Sequence, residues 1–217
     1  MDPDVRALFT KAGQEAYPTQ AGHPAYPTQE GSMSDLQHMK VAIIALDGFE
    51  ESELVEPKKA LEQAGAKVDI LSEKKGEIQG FKHHDKAGKV RVDRTFDEVF
   101  VGDYDALMLP GGALNADSAR AVPRVRQMII EMDRGRKPIA AICHAPWELI
   151  SAEVVTGRKL TSWPTIQDDI RNAGGNWVDE EVVVDQNLVT SRGPKDLPAF
   201  NREMIAVFAK QAVPQPR

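Results

Sequence analysis

From Lys40 onward the chain alternates short, uninterrupted apolar runs with longer stretches of helical period, and few folds accommodate that alternation. Residues 40–46 hold the run Val41-Ala42-Ile43-Ile44-Ala45-Leu46, which has the length and aliphatic content of a strand buried on both faces. Asp47-Gly48-Phe49 reads as a turn, and a helix is predicted over 53–64. Pro57 falls in its first turn, Leu54, Leu61 and Ala64 lie along one face, and Gly65 stops it. A second strand is predicted over 67–71. Residues 76–93 are polar and alternating, as in a more exposed strand pair. Residues 105–109 form another buried run ending in Pro110-Gly111-Gly112. A helix over 122–134 leads to a strand over 138–142, which runs directly into Cys143. Helices follow over 147–155 and 166–173. Segments 177–185 and 188–191 read as a hairpin turning at Gln186-Asn187, and a helix over 197–210 closes the domain. The expected class is α/β, a mainly parallel sheet sandwiched between helices.

The first 39 residues follow no such pattern. They carry two basic and five acidic side chains, four prolines, and a repeat in which Ala16-Tyr17-Pro18-Thr19-Gln20 recurs as Ala25-Tyr26-Pro27-Thr28-Gln29. The predicted division is a flexible extension over 1–39 and one domain over 40–217. Composition narrows the function classes. The longest apolar runs are six residues, against about 20 for a membrane span. A net charge of −6 offers nucleic acid no broad electrostatic attraction. One cysteine among 217 residues excludes an internal disulfide and a multi-thiolate zinc cage. No secretory signal is visible, so the expected compartment is the reducing cytosol.

In parallel sheets, sites form beyond the carboxyl ends of strands. Three tips carry chemistry: 47–53, Gly111-Gly112 and Cys143-His144. A nucleophile at a strand-to-helix turn is lifted clear of the sheet, and a helix N-terminus favours thiolate over thiol. His144, the next residue, is placed to act as base or orienting group. The glycine pair leaves backbone N–H groups open to an oxyanion. Glu50, Glu51, Glu53 and Glu56 crowd the first tip, and three of the four are expected to be solvated. His83-His84 reads as solvated loop with no third metal ligand at useful spacing. No metal is therefore expected, and since neither a Walker loop nor Gly-x-Gly-x-x-Gly is present, no nucleotide cofactor is indicated.

Several of these segments together resemble the DJ-1/PfpI (ThiJ/PfpI) superfamily. The run Ala141-Ile142-Cys143-His144-Ala145-Pro146, followed by Leu149-Ile150-Ser151-Ala152, is similar to its nucleophile elbow. Asp47 through Pro57, Leu109-Pro110-Gly111-Gly112, Gly157-Arg158-Lys159-Leu160-Thr161, and Glu181 to Asp185 with Thr190-Ser191-Arg192 match in the same order. The resemblance spans Lys40 to about Phe208 and is closest to the PfpI-like bacterial and archaeal stress proteins. It implies a flavodoxin-like fold of the class I glutamine amidotransferase type, with Cys143 as nucleophile and His144 as its partner. It further implies that Glu53 bonds the cysteine sulfur as a protonated carboxyl, and that Asp117 completes a triad across a subunit interface in a homodimer or larger ring. Two departures stand out: the loop before Asp117 is one residue longer than in some relatives, and Ala145 stands where many have glycine.

The function that this resemblance implies is a stress-response cysteine hydrolase of the deglycase or glyoxalase type, acting on glyoxal or methylglyoxal adducts of small molecules or proteins. Gly111 and Gly112 are the expected oxyanion donors. The alternatives are an intracellular peptidase using the same residues and an oxidation sensor acting through Cys143.

Overall fold

The computed structural model describes residues 36–212. The predicted extension therefore lies outside the described residues over 1–35. Its last four residues belong to the domain: Leu36 and Met39 are buried, and the Leu36 N–H donates to Ala64 O at 3.0 Å. The domain thus begins before Lys40, because the end of the first helix needs an apolar cover.

In chain order the elements are β1 (Lys40–Ile44), β2 (Phe49–Glu50), α1 (Glu51–Gln63), β3 (Lys67–Ser72), β4 (Gly76–Lys82), β5 (Asp85–Val92), β6 (Arg94–Thr95), β7 (Ala106–Leu109) and α2 (Ala113–Ala121). They continue with α3 (Pro123–Arg134), β8 (Ile139–Ile142), α4 (Pro146–Ser151), β9 (Lys159–Leu160), α5 (Gln167–Asn172), β10 (Asn176–Trp177), β11 (Val182–Asp185), β12 (Leu188–Ser191) and α6 (Leu197–Ala212). The main sheet has seven strands in the order β11-β12-β8-β7-β1-β3-β6, parallel throughout except for the β11–β12 hairpin. A mainly parallel α/β sheet between helices is what the alternation of runs predicts.

Successive strand residues point to opposite faces, and the core divides accordingly. Ala42, Ile44, Leu107, Leu109, Ile139 and Ala141 pack under Val125, Met128, Ile129 and Met132 of α3 and Leu149 of α4. Val41, Ile43, Ala106, Met108, Ala140 and Ile142 pack under Leu54 and Leu61 of α1 and Phe200, Met204 and Phe208 of α6. The chain fills one side of β1 with β3 and β6, then crosses to the other with β7, β8 and β12. The topological switch point is therefore between β1 and β7, and a crevice opens there at the carboxyl ends.

Three local expectations differ. Helix α1 begins at Glu51, so Pro57 sits in its second turn and leaves the Glu53 carbonyl without its intrahelical N–H. Residues 113–121 form the separate helix α2, which sequence periodicity did not signal because Ala and polar residues dominate it. The hairpin is confined to β11 and β12, since Trp177 pairs instead with Leu160 in a two-stranded sheet.

Candidate active site

Cys143 follows β8 directly and adopts φ 63°, a left-handed conformation that costs a non-glycine residue on the order of 1 kcal/mol or more. The turn has a measurable consequence: Ile142 and Cys143 are consecutive, yet both belong to the core on the same face of the sheet. Backbone bonds hold the conformation from both sides. The Cys143 N–H donates to Ser191 O at 3.0 Å, and the Trp163 N–H donates to Cys143 O at 2.9 Å. These partners come from the end of β12 and the segment after β9, so the turn is fixed by tertiary structure.

His144 lies beside it, with Nδ1 3.2 Å from Cys143 Sγ. Its half-buried ring stacks on Trp163 at 6.0 Å and meets Trp147 edge-on at 5.3 Å. Burial lowers its pKa, so it is neutral at pH 7 and able to accept a proton. Trp147 is fixed in turn by its Nε1–H to Asp169 Oδ2 at 2.7 Å.

Glu53 reaches the same point from α1 and is fully buried. Burial, then the nearby Glu50 charge, raise its pKa to about 8, against the Cys143 thiol and the Gly111 N–H that face it. Neither carboxyl oxygen closes a hydrogen bond of full geometry, which accords with a group held as the neutral acid. Burial, then the Glu53 charge, also push the Cys143 thiol up, opposed by the Gly112 and His144 N–H groups. The sequence suggested a thiol lowered by a helix N-terminus; here α4 starts only at Pro146 and the sulfur is enclosed. With its pKa at about 8, Glu53 is mainly neutral below that pH, and its charge opposes the thiolate increasingly as pH rises through it.

The glycine pair divides. The Gly111 N–H is turned toward Glu53, whereas the Gly112 N–H faces the sulfur. The backbone N–H groups that face Cys143 are thus those of Gly112 and His144 rather than Gly111 and Gly112, because the Gly111 N–H is turned to the carboxyl. A Cβ on Gly111 would collide with Glu53 Oε2 and lie 2.6 Å from Cys143 Cβ. Gly112 has φ 92° and packs against the Gly48–Glu50 backbone.

Asp117 is exposed on α2, and it has no hydrogen bond or ion pair among the described residues. Of the four acidic residues at the first tip, only Glu56 is exposed. Glu50 accepts the His83 N–H at 2.9 Å and Glu51 the Gly88 N–H at 2.7 Å, since the β4–β5 hairpin folds over this corner. The imidazoles of His83 and His84 are exposed, and no cluster of three metal-ligating side chains occurs among the described residues.

Trp163 lies near the elbow in sequence and reads as core there, while Asn115 and Glu148 had not stood out. Trp163, 37% exposed, borders the site and covers Gly193. Asn115 is fully buried and bonds to the tips of β1 and β7. Glu148 is fully buried with no hydrogen-bond partner on either oxygen. Of the latter two, only Asn115 carried a sequence signal, an amide three positions after Gly112.

A cysteine at a strained strand-to-helix turn, beside a histidine and donor N–H groups, is the arrangement of a nucleophile elbow on an α/β sheet. The chain belongs to the DJ-1/PfpI family, whose model matches residues 39–207. It is 46% identical over 170 residues to Deglycase TK1284 of Thermococcus kodakarensis, covering 78% of this chain and 99% of that protein. It is 42% identical over 172 residues to General stress protein 18 of Bacillus subtilis, covering 79% and 98%. Among solved structures, a two-domain protein with DJ-1/ThiJ/PfpI-like and ferritin-like domains from Anabaena variabilis superposes with a TM-score of 0.75 at 32% identity. That match covers 82% of this chain and 50% of the other. No described helix is long and apolar enough to cross a membrane.

Proposed function

We propose that this protein is a cysteine-dependent hydrolase that removes glyoxal or methylglyoxal adducts from amines and thiols, working in the reducing cytosol. The observation that carries this reading is the enclosed Cys143 sulfur, 3.2 Å from a neutral imidazole and facing two backbone N–H donors. The relative named as a deglycase, matched over nearly its whole length, supports deglycation as the activity.

The steps follow from the geometry. The thiol proton passes to His144 Nδ1. The sulfur bonds to the carbonyl carbon of the hydroxyacyl form of the adduct, and the displaced π pair becomes an oxyanion near the Gly112 and His144 N–H groups. Collapse breaks the carbon–nitrogen or carbon–sulfur bond, and the leaving group takes the proton from His144. Water then cleaves the thioester with His144 as base, releasing the hydroxy acid and restoring the thiol. Glu53 keeps its own proton throughout and holds the sulfur in place. Peptide cleavage by these groups is the alternative.

Replacement Cys143→Ser is expected to abolish methylglyoxal-adduct turnover; full turnover by the serine variant would refute the assignment. Cleavage of small peptide amides faster than adduct turnover would favour the peptidase. The neutral Glu53 carboxyl against the thiol also favours a second reading, in which peroxide converts Cys143 to a sulfenic acid bonded by that carboxyl. Equal peroxide reactivity in Glu53→Gln would argue against it. The exposure of Asp117 on α2 supports its action in the site of a second copy of the chain. An Asp117→Asn variant assembled as the unaltered protein is, with unchanged turnover, would exclude that role.

A further inference from the structure

We infer that Asn115 is a positioning residue that aims the Gly112 N–H at the reacting centre; this rests on the reading of Cys143 as nucleophile. Asn115 is fully buried in the first turn of α2, and its amide is used at both ends. Its Oδ1 accepts the Leu46 N–H at 2.7 Å, just beyond β1. Its Nδ2 donates to Pro110 O at 2.9 Å and to Gly111 O at 3.2 Å, just beyond β7. One side chain therefore ties together the two strand tips that flank the switch point.

The bond to Gly111 O has a directional consequence. The Gly111 carbonyl and the Gly112 N–H belong to one planar trans peptide and point in opposite directions. Gly111 O is held on the far side by two donors, the Asn115 amide and the Glu50 N–H at 3.2 Å. The Gly112 N–H is thereby directed at the Cys143 sulfur, where it favours the thiolate. Gly112, at φ 92°, lies against the Gly48–Glu50 backbone, and the carbonyl anchors fix the peptide that precedes it. The Glu50 anchor is a backbone group common to any residue at that position, so Asn115 is the anchor that depends on side-chain identity.

The test uses Asn115→Asp, which keeps an acceptor for Leu46 but sets a carboxyl oxygen against the Pro110 and Gly111 carbonyls. Misdirecting one oxyanion donor is expected to lower kcat on the order of 100-fold, with little change in KM. The pH midpoint of Cys143 alkylation should move upward. A folded Asn115→Asp protein with unaltered kcat and alkylation midpoint would overturn the inference. Should that variant not fold, the unsubstituted protein still decides by NMR: the Gly112 amide proton is expected to shift as the thiol titrates, and an invariant Gly112 signal overturns the proposal. Turnover by Cys143→Ser, run in parallel, reports separately on the nucleophile, so failure of that reading is not mistaken for failure of this one.

Discussion

The carboxyl of Glu53 and the α-carbon of Gly111 leave no space between them for a methyl group. A Cβ on Gly111 would run into Glu53 Oε2, with Cys143 Cβ at 2.6 Å and Ile142 O at 2.9 Å. The buried acid, the cysteine and the β7 tip thus meet at one glycine. Gly111→Ala is expected to destabilise the domain by about 1–3 kcal/mol, the usual range for overpacking, and to displace Glu53 from the sulfur. Denaturant unfolding together with the alkylation rate of Cys143 would check this; a variant unchanged in both would show that the site has slack.

Glu53 and Cys143 titrate as a pair. With Glu53 raised to about 8 and its charge opposing the thiolate, alkylation of Cys143 should rise with pH in two steps. Glu53→Gln removes the titrating carboxyl, leaving one step at lower pH. The comparison is made by iodoacetamide rates across the neutral and alkaline range. Superimposable profiles would show that the two acids are not coupled.

His144 owes its lowered pKa to burial, and the stacked Trp163 ring supplies part of that cover. Trp163→Ala admits water to the imidazole, so the His144 midpoint should rise toward the ordinary 6.5. NMR titration of its ring protons measures this. An unmoved midpoint would assign the shift to the other groups around the ring.

Glu148 is a fully buried carboxyl with no partner, and burial raises its pKa well above 4.5. Above pH 4.5 the unfolded chain releases this proton while the folded chain retains it, so the group makes stability fall as pH rises. Glu148→Leu is expected to stabilise the domain by about 1–3 kcal/mol at pH 8, by removing an unsatisfied polar group, and by less at pH 5. Equal or opposite effects at the two pH values would refute the reasoning.

Much of the architecture was legible in one dimension. Fully apolar runs such as Val41 to Leu46 mark strands covered on both faces, and the place where β8 gives way to Cys143-His144 marked the elbow. Burial imposes a period on the sequence, and the period can be read without coordinates. Helix α2 escaped because its Ala and polar residues carry a weak period.

The sequence by itself determined the alternation of strands and helices, the strand tips that carry chemistry, and Cys143 as the one thiol at a tip. Only the tertiary structure decided that Glu50 and Glu51 are held by the β4–β5 hairpin, that Gly111 and Gly112 turn their N–H groups to different partners, and that Asn115 joins two tips. These properties depend on the orientation of peptide planes and carboxyls set by groups distant in the chain, such as Leu46 and Asn115, 69 positions apart. Composition and period record how deeply a residue is buried; the direction of a donor exists only once the strands are assembled.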